Sequence, residues 1–388
     1  MMIHKEQGPT MNRRTFTQLA AAFPAWLASR ESKTLQAEST PTKMAQADVA
    51  LFTHDDGPHL SSYIDALAKT PEVGAVYLCD PMSSTVESVR AGVGAKFVAA
   101  YQSPQELFKA KKPLVSLIAM EAVLAPPIIH AALDAGCHIL AEKPACVRPA
   151  DFAPLVAKAN AGKRHLMLAL TNRLEPAMLE ARRIVQSGEI GKVFGVELHF
   201  IADQTRVKSA GYQKSWMSQK ARAGGGHLTW LGIHWLDLAM YVTGSRITHV
   251  AGFSGNVGGQ PIDTEDSAAI SLRFANGTFG TLTSGYYLDR GKHSFVKIWG
   301  SEGWLELNPG TANPLDWYTT KSGKPESHRY TATSPSVGSV GFLGHVMRAA
   351  LGKETPVLTP DESLYVLQTI SAAYKAAETG HTQPVAPN

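Results

Sequence analysis

The sequence predicts an α/β protein: a doubly wound parallel sheet, then an α/β domain with an open, mainly antiparallel sheet. Three observations carry this. Short apolar runs alternate with segments of helical spacing through the first half, which implies βαβ units. From His249 onward the runs alternate apolar and polar and are rich in β-branched and aromatic residues, with Asn276-Gly277 as a hairpin turn. The 388 residues exceed one ordinary domain and suit two. The expected division is residues 1–31 as a signal, 32–46 as a linker, 47–165 as the parallel-sheet domain and 166–388 as the second domain.

Asp48–Phe52 is a compact apolar strand, and Leu60, Ile64 and Leu67 give Leu60–Lys69 a helical face. Val73–Leu78 is the second strand, closing on Asp80. Ser83–Ala91 is a helix, Lys96–Val98 a short strand, and Ser103-Pro104-Gln105-Glu106 caps another helix, with serine at the cap and glutamate three residues on. Leu114–Ala119 is a buried strand that leads to Met120, and Pro126–Ala135 is a helix closed by Gly136. His138–Ala141 is a strand that stops at Glu142-Lys143-Pro144, since proline has a fixed φ and no N–H. Ligands of open α/β sheets bind beyond the carboxyl ends of the strands, so Lys143 points its ammonium toward a cleft.

A nucleotide-binding sheet carries glycines after its first strand. Here that loop is Thr53-His54-Asp55-Asp56-Gly57-Pro58-His59, with one glycine, and its two aspartates would repel a pyrophosphate if they faced it. Asp80, at the end of the second strand, is placed to accept hydrogen bonds from the ribose hydroxyls of NAD; it disfavours NADP, and no arginine directly follows it.

In the second half, Asp151–Asn160 is a helix and Arg164–Leu170 a strand leading to Asn172-Arg173. Pro176–Ser187 is a helix closed by Gly188, and Val193–Ile201 a strand. Gly224-Gly225-Gly226-His227 then opens a helix that sets Trp230, His234 and Asp237 on one face. Three glycines allow a close backbone approach. His227 and His234 lack a third partner, so no metal is expected. Further strands are His249–Gly255, Ser267–Ala275, Gly277–Tyr287, Ser294–Gly300 and Trp304–Leu307. Residues 309–338, rich in Pro, Ser, Thr and Gly, are expected to form a long surface loop, and Val340–Leu351 and Asp361–Thr379 are closing helices.

Met11-Asn12-Arg13-Arg14-Thr15-Phe16 followed by a weakly apolar run to Leu27 matches a twin-arginine export signal, so the expected site of action is the periplasm or another extracytoplasmic space. No apolar run reaches the ~18 residues of a membrane span, and no cysteine follows the run to carry a lipid anchor. Beyond the signal the chain is close to neutral, which gives no reason to expect nucleic acid. Cys79, Cys137 and Cys146 lack metal-ligand spacing and adjoin strands, as buried thiols do.

Four stretches resemble the glucose–fructose oxidoreductase, inositol dehydrogenase and MocA (Gfo/Idh/MocA) family: His138–Pro144, Asn172-Arg173, Gly224–Asp237, and Thr359–Ser363 through Ala377–Gly380. The resemblance implies a Rossmann-type domain that holds NAD, with His54, Gly57, Asp80, Met120, Glu142 and Lys143 as candidate contacts. It implies Lys143 and His234 as catalytic residues, and a small sugar substrate beside Arg173, His227, Trp230 and Asp237. His234, as a histidine titrating near neutrality, is the expected base, with Lys143 stabilising charge on the substrate oxygen. The family often carries an aspartate where this chain has Trp230, whose indole suits a sugar ring. The implied activity is an NAD(P)-dependent sugar dehydrogenase, assembled as a homo-oligomer through the C-terminal sheet; export of an already folded protein to a space without a nicotinamide pool adds the expectation that NAD stays tightly bound. Two other readings stay open: a cofactor-free carbohydrate-binding protein of the same fold, and glycoside cleavage by transient oxidation and elimination.

Overall fold

Val49, Ala50, Leu51 and Phe52 are wholly buried because their strand lies at the centre of a sheet covered on both faces. The computed structural model describes residues 45–332 and 336–385; the twin-arginine segment and most of the linker lie outside them. Six parallel strands, β1 (Ala47–Phe52), β2 (Val73–Cys79), β3 (Phe97–Tyr101), β4 (Val115–Ile118), β5 (His138–Ala141) and β6 (Leu166–Leu168), stand in the order β3-β2-β1-β4-β5-β6. Helices α1 (Leu60–Lys69), α2 (Val86–Val93), α3 (Pro104–Ala110), α4 (Ala125–Asp134) and α5 (Pro149–Ala161) make the crossovers. This is the Rossmann strand order. The direction of winding reverses between β1 and β4, so the loops leaving those two strands border the crevice where such sheets bind ligands.

After α6 (Pro176–Gln186) comes β7 (Val193–Asp203), then a stretch of short helices, α7 (Thr205–Lys208), α8 (Ala210–Lys214) and α9 (Lys220–Ala223), and then α10 (Ile233–Thr243). The strands β8 (Ile247–Gly255), β9 (Ser267–Phe274), β10 (Phe279–Leu288), β11 (Lys292–Gly300), β12 (Gly303–Leu307), β13 (Leu315–Thr319) and β14 (Glu326–Tyr330) follow. Helices α11 (Gly338–Ala350) and α12 (Pro360–Thr379) and the short β15 (Gln383–Pro384) close the chain. The second sheet runs β14-β13-β12-β11-β7-β10-β9-β8-β15; its pairs are antiparallel except β7 with β10. Buried and exposed residues alternate along β9, as they must when one face packs on helices and the other is open.

Two expectations are corrected. Residues 309–338 are not one loop, because β13 and β14 pair there in register from Leu315↔Tyr330 to Thr319↔Glu326. The high Pro, Ser and Gly content belongs to the turns around this hairpin. The boundary at 165 also shifts, since β6 pairs with β5 and belongs to the first sheet. The closing helices then return to the first half. Arg348 on α11 pairs with Glu72 at 2.7 Å, and Ser363 on α12 donates to the Leu166 carbonyl at 3.2 Å. Thr359 and Glu362 form a capping box that starts α12.

Candidate active site

The carboxyl end of β5 delivers Glu142 and Lys143 into the interior, where each is 3% exposed. Glu142 keeps the ladder through its backbone N–H, which donates to the Ile118 carbonyl at 2.8 Å, so its side chain is fixed at the sheet's rim. One carboxylate oxygen receives the Tyr63 hydroxyl and lies 3.2 Å from Nδ1 of His59; the other lies 3.8 Å from the Lys143 ammonium. Burial works to raise this carboxyl, and the bonds and charges of His59, Lys143 and Tyr63 outweigh it, holding Glu142 below the usual carboxylate range. Lys143 Nζ donates to the Trp230 carbonyl at 2.6 Å and sits over the Trp230 ring, 4.9 Å from its centre. Burial is the main influence on Lys143; it brings the ammonium down to about 8 against the pull of Glu142, and the Arg206 charge adds to the lowering.

Trp230 lies in a π-helical turn, Leu228–Gly232, that runs directly into α10. Such turns release backbone groups for other partners, here the carbonyl taken by Lys143. The three glycines explain how this turn is held. A side chain at Gly226 would collide with the Glu265 carbonyl at 1.8 Å, and one at Gly225 with the Tyr374 hydroxyl at 2.1 Å. The close approach expected from the sequence is therefore to the chain itself. Glu265 accepts from the backbone of Gly226 at 2.7 Å and Leu228 at 2.9 Å, and from the Tyr374 hydroxyl at 2.9 Å. These bonds seat the helix start that carries His234.

His234 lies one turn past Trp230. Burial, then the neighbouring Lys143 ammonium, lowers it to about 3. The sequence expectation of a histidine titrating near neutrality is corrected: desolvation and a cation keep this imidazole neutral, and the group that titrates nearer neutrality is Lys143.

The β1–α1 loop closes the other side. Thr53 Oγ1 donates to the Ala119 carbonyl at 3.2 Å, and Gly57 packs so tightly that a Cβ would meet Thr53 Oγ1 at 2.2 Å. That close packing is one of the reasons a dinucleotide loop needs glycine. Asp55 and Asp56 are exposed. Trp216, which the sequence reading passed over, donates its indole N–H to the Asp56 carbonyl at 3.0 Å and meets Trp230 edge-on at 5.3 Å. Nearby, Arg222 pairs with Glu121 (2.8 Å from Nε), and the Val123 N–H donates to the Arg222 carbonyl at 3.2 Å. The α7–α9 segment thus bridges to both loops of the crevice. Met120, next to Glu121, is buried.

Four candidates turn out to be bound up elsewhere. Asp80 holds the β2–α2 turn: its carboxylate receives the backbone N–H groups of Met82 at 3.0 Å and Thr85 at 2.8 Å, and the hydroxyls of Ser84 at 3.2 Å and Thr85 at 2.8 Å. It is buried, and its oxygens are spent on the turn that leads to Thr85, the first residue ahead of α2. Arg173 and Asp237 are joined to each other at 2.7 Å, and Arg173 also pairs with Glu362 at 2.9 Å. That buried network ties α10 to α12, so neither group is presented to a substrate. His227 binds the Ser284 hydroxyl at 2.7 Å and packs edge-on against Tyr286 at 4.6 Å; its Nε2 has no partner. Burial, with the Arg206 charge, brings it to about 3.

A profile described as "Oxidoreductase family, NAD-binding Rossmann fold" matches residues 57–170, and one described as "GFO/IDH/MocA C-terminal domain" matches residues 178–306. Together they span well over half the chain. The protein belongs to the Gfo/Idh/MocA family of oxidoreductases. It is similar to D-glucoside 3-dehydrogenase of Escherichia coli, 24% identical over 335 residues that cover 79% of this chain and 88% of that one. It is also similar to levoglucosan dehydrogenase of Pseudarthrobacter phenanthrenivorans, 28% identical over 205 residues, 47% of this chain and 52% of that one. Among solved structures, an oxidoreductase domain protein of Kribbella flavida superposes with a TM-score of 0.80 at 22% identity, over 89% of this chain and all of that one.

The residues present fit the NAD that this Gfo/Idh/MocA domain binds. Four buried polar atoms at the crevice have no partner: His54 Nε2, Glu142 Oε1, Trp230 Nε1 and His234 Nδ1. Helix α1 begins without a side-chain cap and with no acid in its first turn, so its N–H groups suit a pyrophosphate. The loop around Gly57 and that helix end would hold the phosphates, and His54, Met120 and Glu142 would flank the nicotinamide end.

Proposed function

We propose that this enzyme oxidises a secondary hydroxyl of a sugar or sugar derivative, using NAD retained in the crevice, after export by the twin-arginine route. The observation that carries the reading is the convergence of Lys143 and His234, from β5 and α10, on one buried place bounded by unpartnered polar atoms. NAD, when bound, supplies the hydride acceptor. Lys143 in its amine form takes the hydroxyl proton; with a midpoint of about 8, about one lysine in ten is ready at pH 7. Its ammonium form, fixed on the Trp230 carbonyl, stabilises negative charge on the same oxygen. His234 stays neutral and offers Nδ1 to hydrogen-bond the substrate. Trp230 gives a sugar ring an apolar wall and an unpartnered indole N–H. The names of the two similar dehydrogenases support a pyranose-like substrate.

The test is to add pooled pyranosides to protein supplied with NAD and follow NADH fluorescence. NADH with at least one pyranoside supports the proposal; no NADH, together with no NAD binding at millimolar concentration, overturns it. Export rests on Arg13-Arg14. Fractionated cells should hold the protein outside the cytoplasm and the Arg13→Lys/Arg14→Lys form inside; a cytoplasmic wild type sinks that part. The outer face of the second sheet exposes Phe253, Phe279 and Trp299, which supports a homo-oligomer joined there. Sedimentation that reports a monomer would reject it.

A further inference from the structure

Lys143 is closed off from solvent, yet each turnover in the proposed oxidation leaves it holding a proton it must lose. The carboxylate beside it has a second neighbour that reaches solvent. Glu142 Oε1 lies 3.8 Å from Lys143 Nζ and has no hydrogen-bond partner, while Oε2 lies 3.2 Å from Nδ1 of His59. His59 is 54% exposed. It stands at the start of α1 with a left-handed φ of 55°, and its ring lies against the Glu142 carboxylate at the rim of β5. Tyr63, one turn on, donates its hydroxyl to the same carboxylate oxygen.

We propose that Glu142 and His59 form the path by which the proton taken from the substrate leaves the buried site. The proposal rests on the dehydrogenase reading above. The substrate's C–H hydrogen leaves with its electron pair to NAD, and the hydroxyl proton passes to the Lys143 amine. Lys143 then gives a proton to Glu142 Oε1. The carboxyl releases the Tyr63 hydroxyl, turns about its Cγ–Cδ bond and passes the proton to Nδ1 of His59, whose Nε2–H proton goes to solvent; proton exchange with water at the exposed ring then returns His59 to its Nε2–H form. Lys143 is an amine again and no further reactant is needed. The charged and titratable groups around the path are Lys143 and Glu142 from β5, His59 and Tyr63 from α1, His234 from α10, and Arg206 from the α7–α9 segment. The lowered Lys143 ammonium shortens the uphill step to Glu142, which the same surroundings keep ionised.

A plain structural role for His59, orienting Glu142, is separated by chemical rescue. His59→Asn is the informative variant, because asparagine tolerates a positive φ. With levoglucosan or methyl glucosides as probe substrates and NAD in excess, in weak buffer, turnover of the variant should fall roughly tenfold. Added imidazole should restore it without stimulating the wild type. Unchanged turnover in weak buffer, or a loss that imidazole does not repair, overturns the relay. An independent reading uses histidine-labelled protein without sugar: the His59 Nδ1 resonance, which reports its contact with Glu142 Oε2, should move in Glu142→Gln and in Lys143→Met. A resonance unmoved in both variants also overturns it. If the wild type oxidises none of the probes, the dehydrogenase reading is what has failed, and the resonance measurement still decides whether the three groups are coupled.

Discussion

Replacing Lys143 by methionine separates what this lysine does for the reaction from what it costs the fold. The native ammonium titrates at about 8 and an open-chain lysine at 10.5. Below pH 8 both states are protonated and the native state bears the full penalty of about 3 kcal/mol for the buried charge. Between the two midpoints the unfolded chain still binds a proton that the native state has released, so stability rises with pH; above them it levels off. The methionine variant has no such term. It leaves the Trp230 carbonyl without its 2.6 Å donor, at a cost of ~1–3 kcal/mol, which offsets most of the relief at neutral pH. Urea unfolding should therefore find the variant within about 2 kcal/mol of the wild type at pH 7. The wild type should then gain about 3 kcal/mol on the variant as pH rises from 8 to 10.5. Stability curves that stay parallel across that window would refute the reasoning about burial.

Three other outcomes follow from the geometry. Asp237→Ala strands the Nε and Nη2 of the buried Arg173 guanidinium and leaves Nη1 on Glu362 and the Val357 carbonyl, and should cost ~3–5 kcal/mol by urea unfolding; a loss below about 1 kcal/mol would mean the network is solvated. His234→Gln should lower turnover while leaving the rise in activity centred near pH 8, since that limb belongs to Lys143; a limb that disappears with the histidine would return the base role to His234. Asp80→Asn should lose ~1 kcal/mol through weakened hydrogen bonds in the β2–α2 turn and leave the preference between NAD and NADP as it was, measured by cofactor titration; a swing toward NADP would mean Asp80 does face a ribose.

The sequence made the ends of the site legible because each is announced locally. An apolar run stopped by a proline marks Glu142-Lys143, and a glycine triplet ahead of a patterned helix marks His234. Partners were harder to read. Asp80 could serve a ribose or cap a helix, and its actual donors lie within the next five residues. Arg173 and Asp237 are 64 residues apart, and Trp216 reaches Asp56 across 160; no local pattern encodes either contact. The neutral state of His234 is a property of the surrounding packing, which desolvates it and sets Lys143 beside it. The β13–β14 hairpin was hidden because its turns dominate the composition of a stretch whose strands are only five residues each.

The most direct test of the account is single-turnover NADH formation by wild type, Lys143→Met and His234→Ala, with NAD binding measured on the same samples. The account expects NAD to bind all three, with the hydride step slowed by ~10²–10⁴ in each variant and the wild-type rate rising with a midpoint near pH 8. Two variants that transfer hydride at the wild-type rate would contradict it.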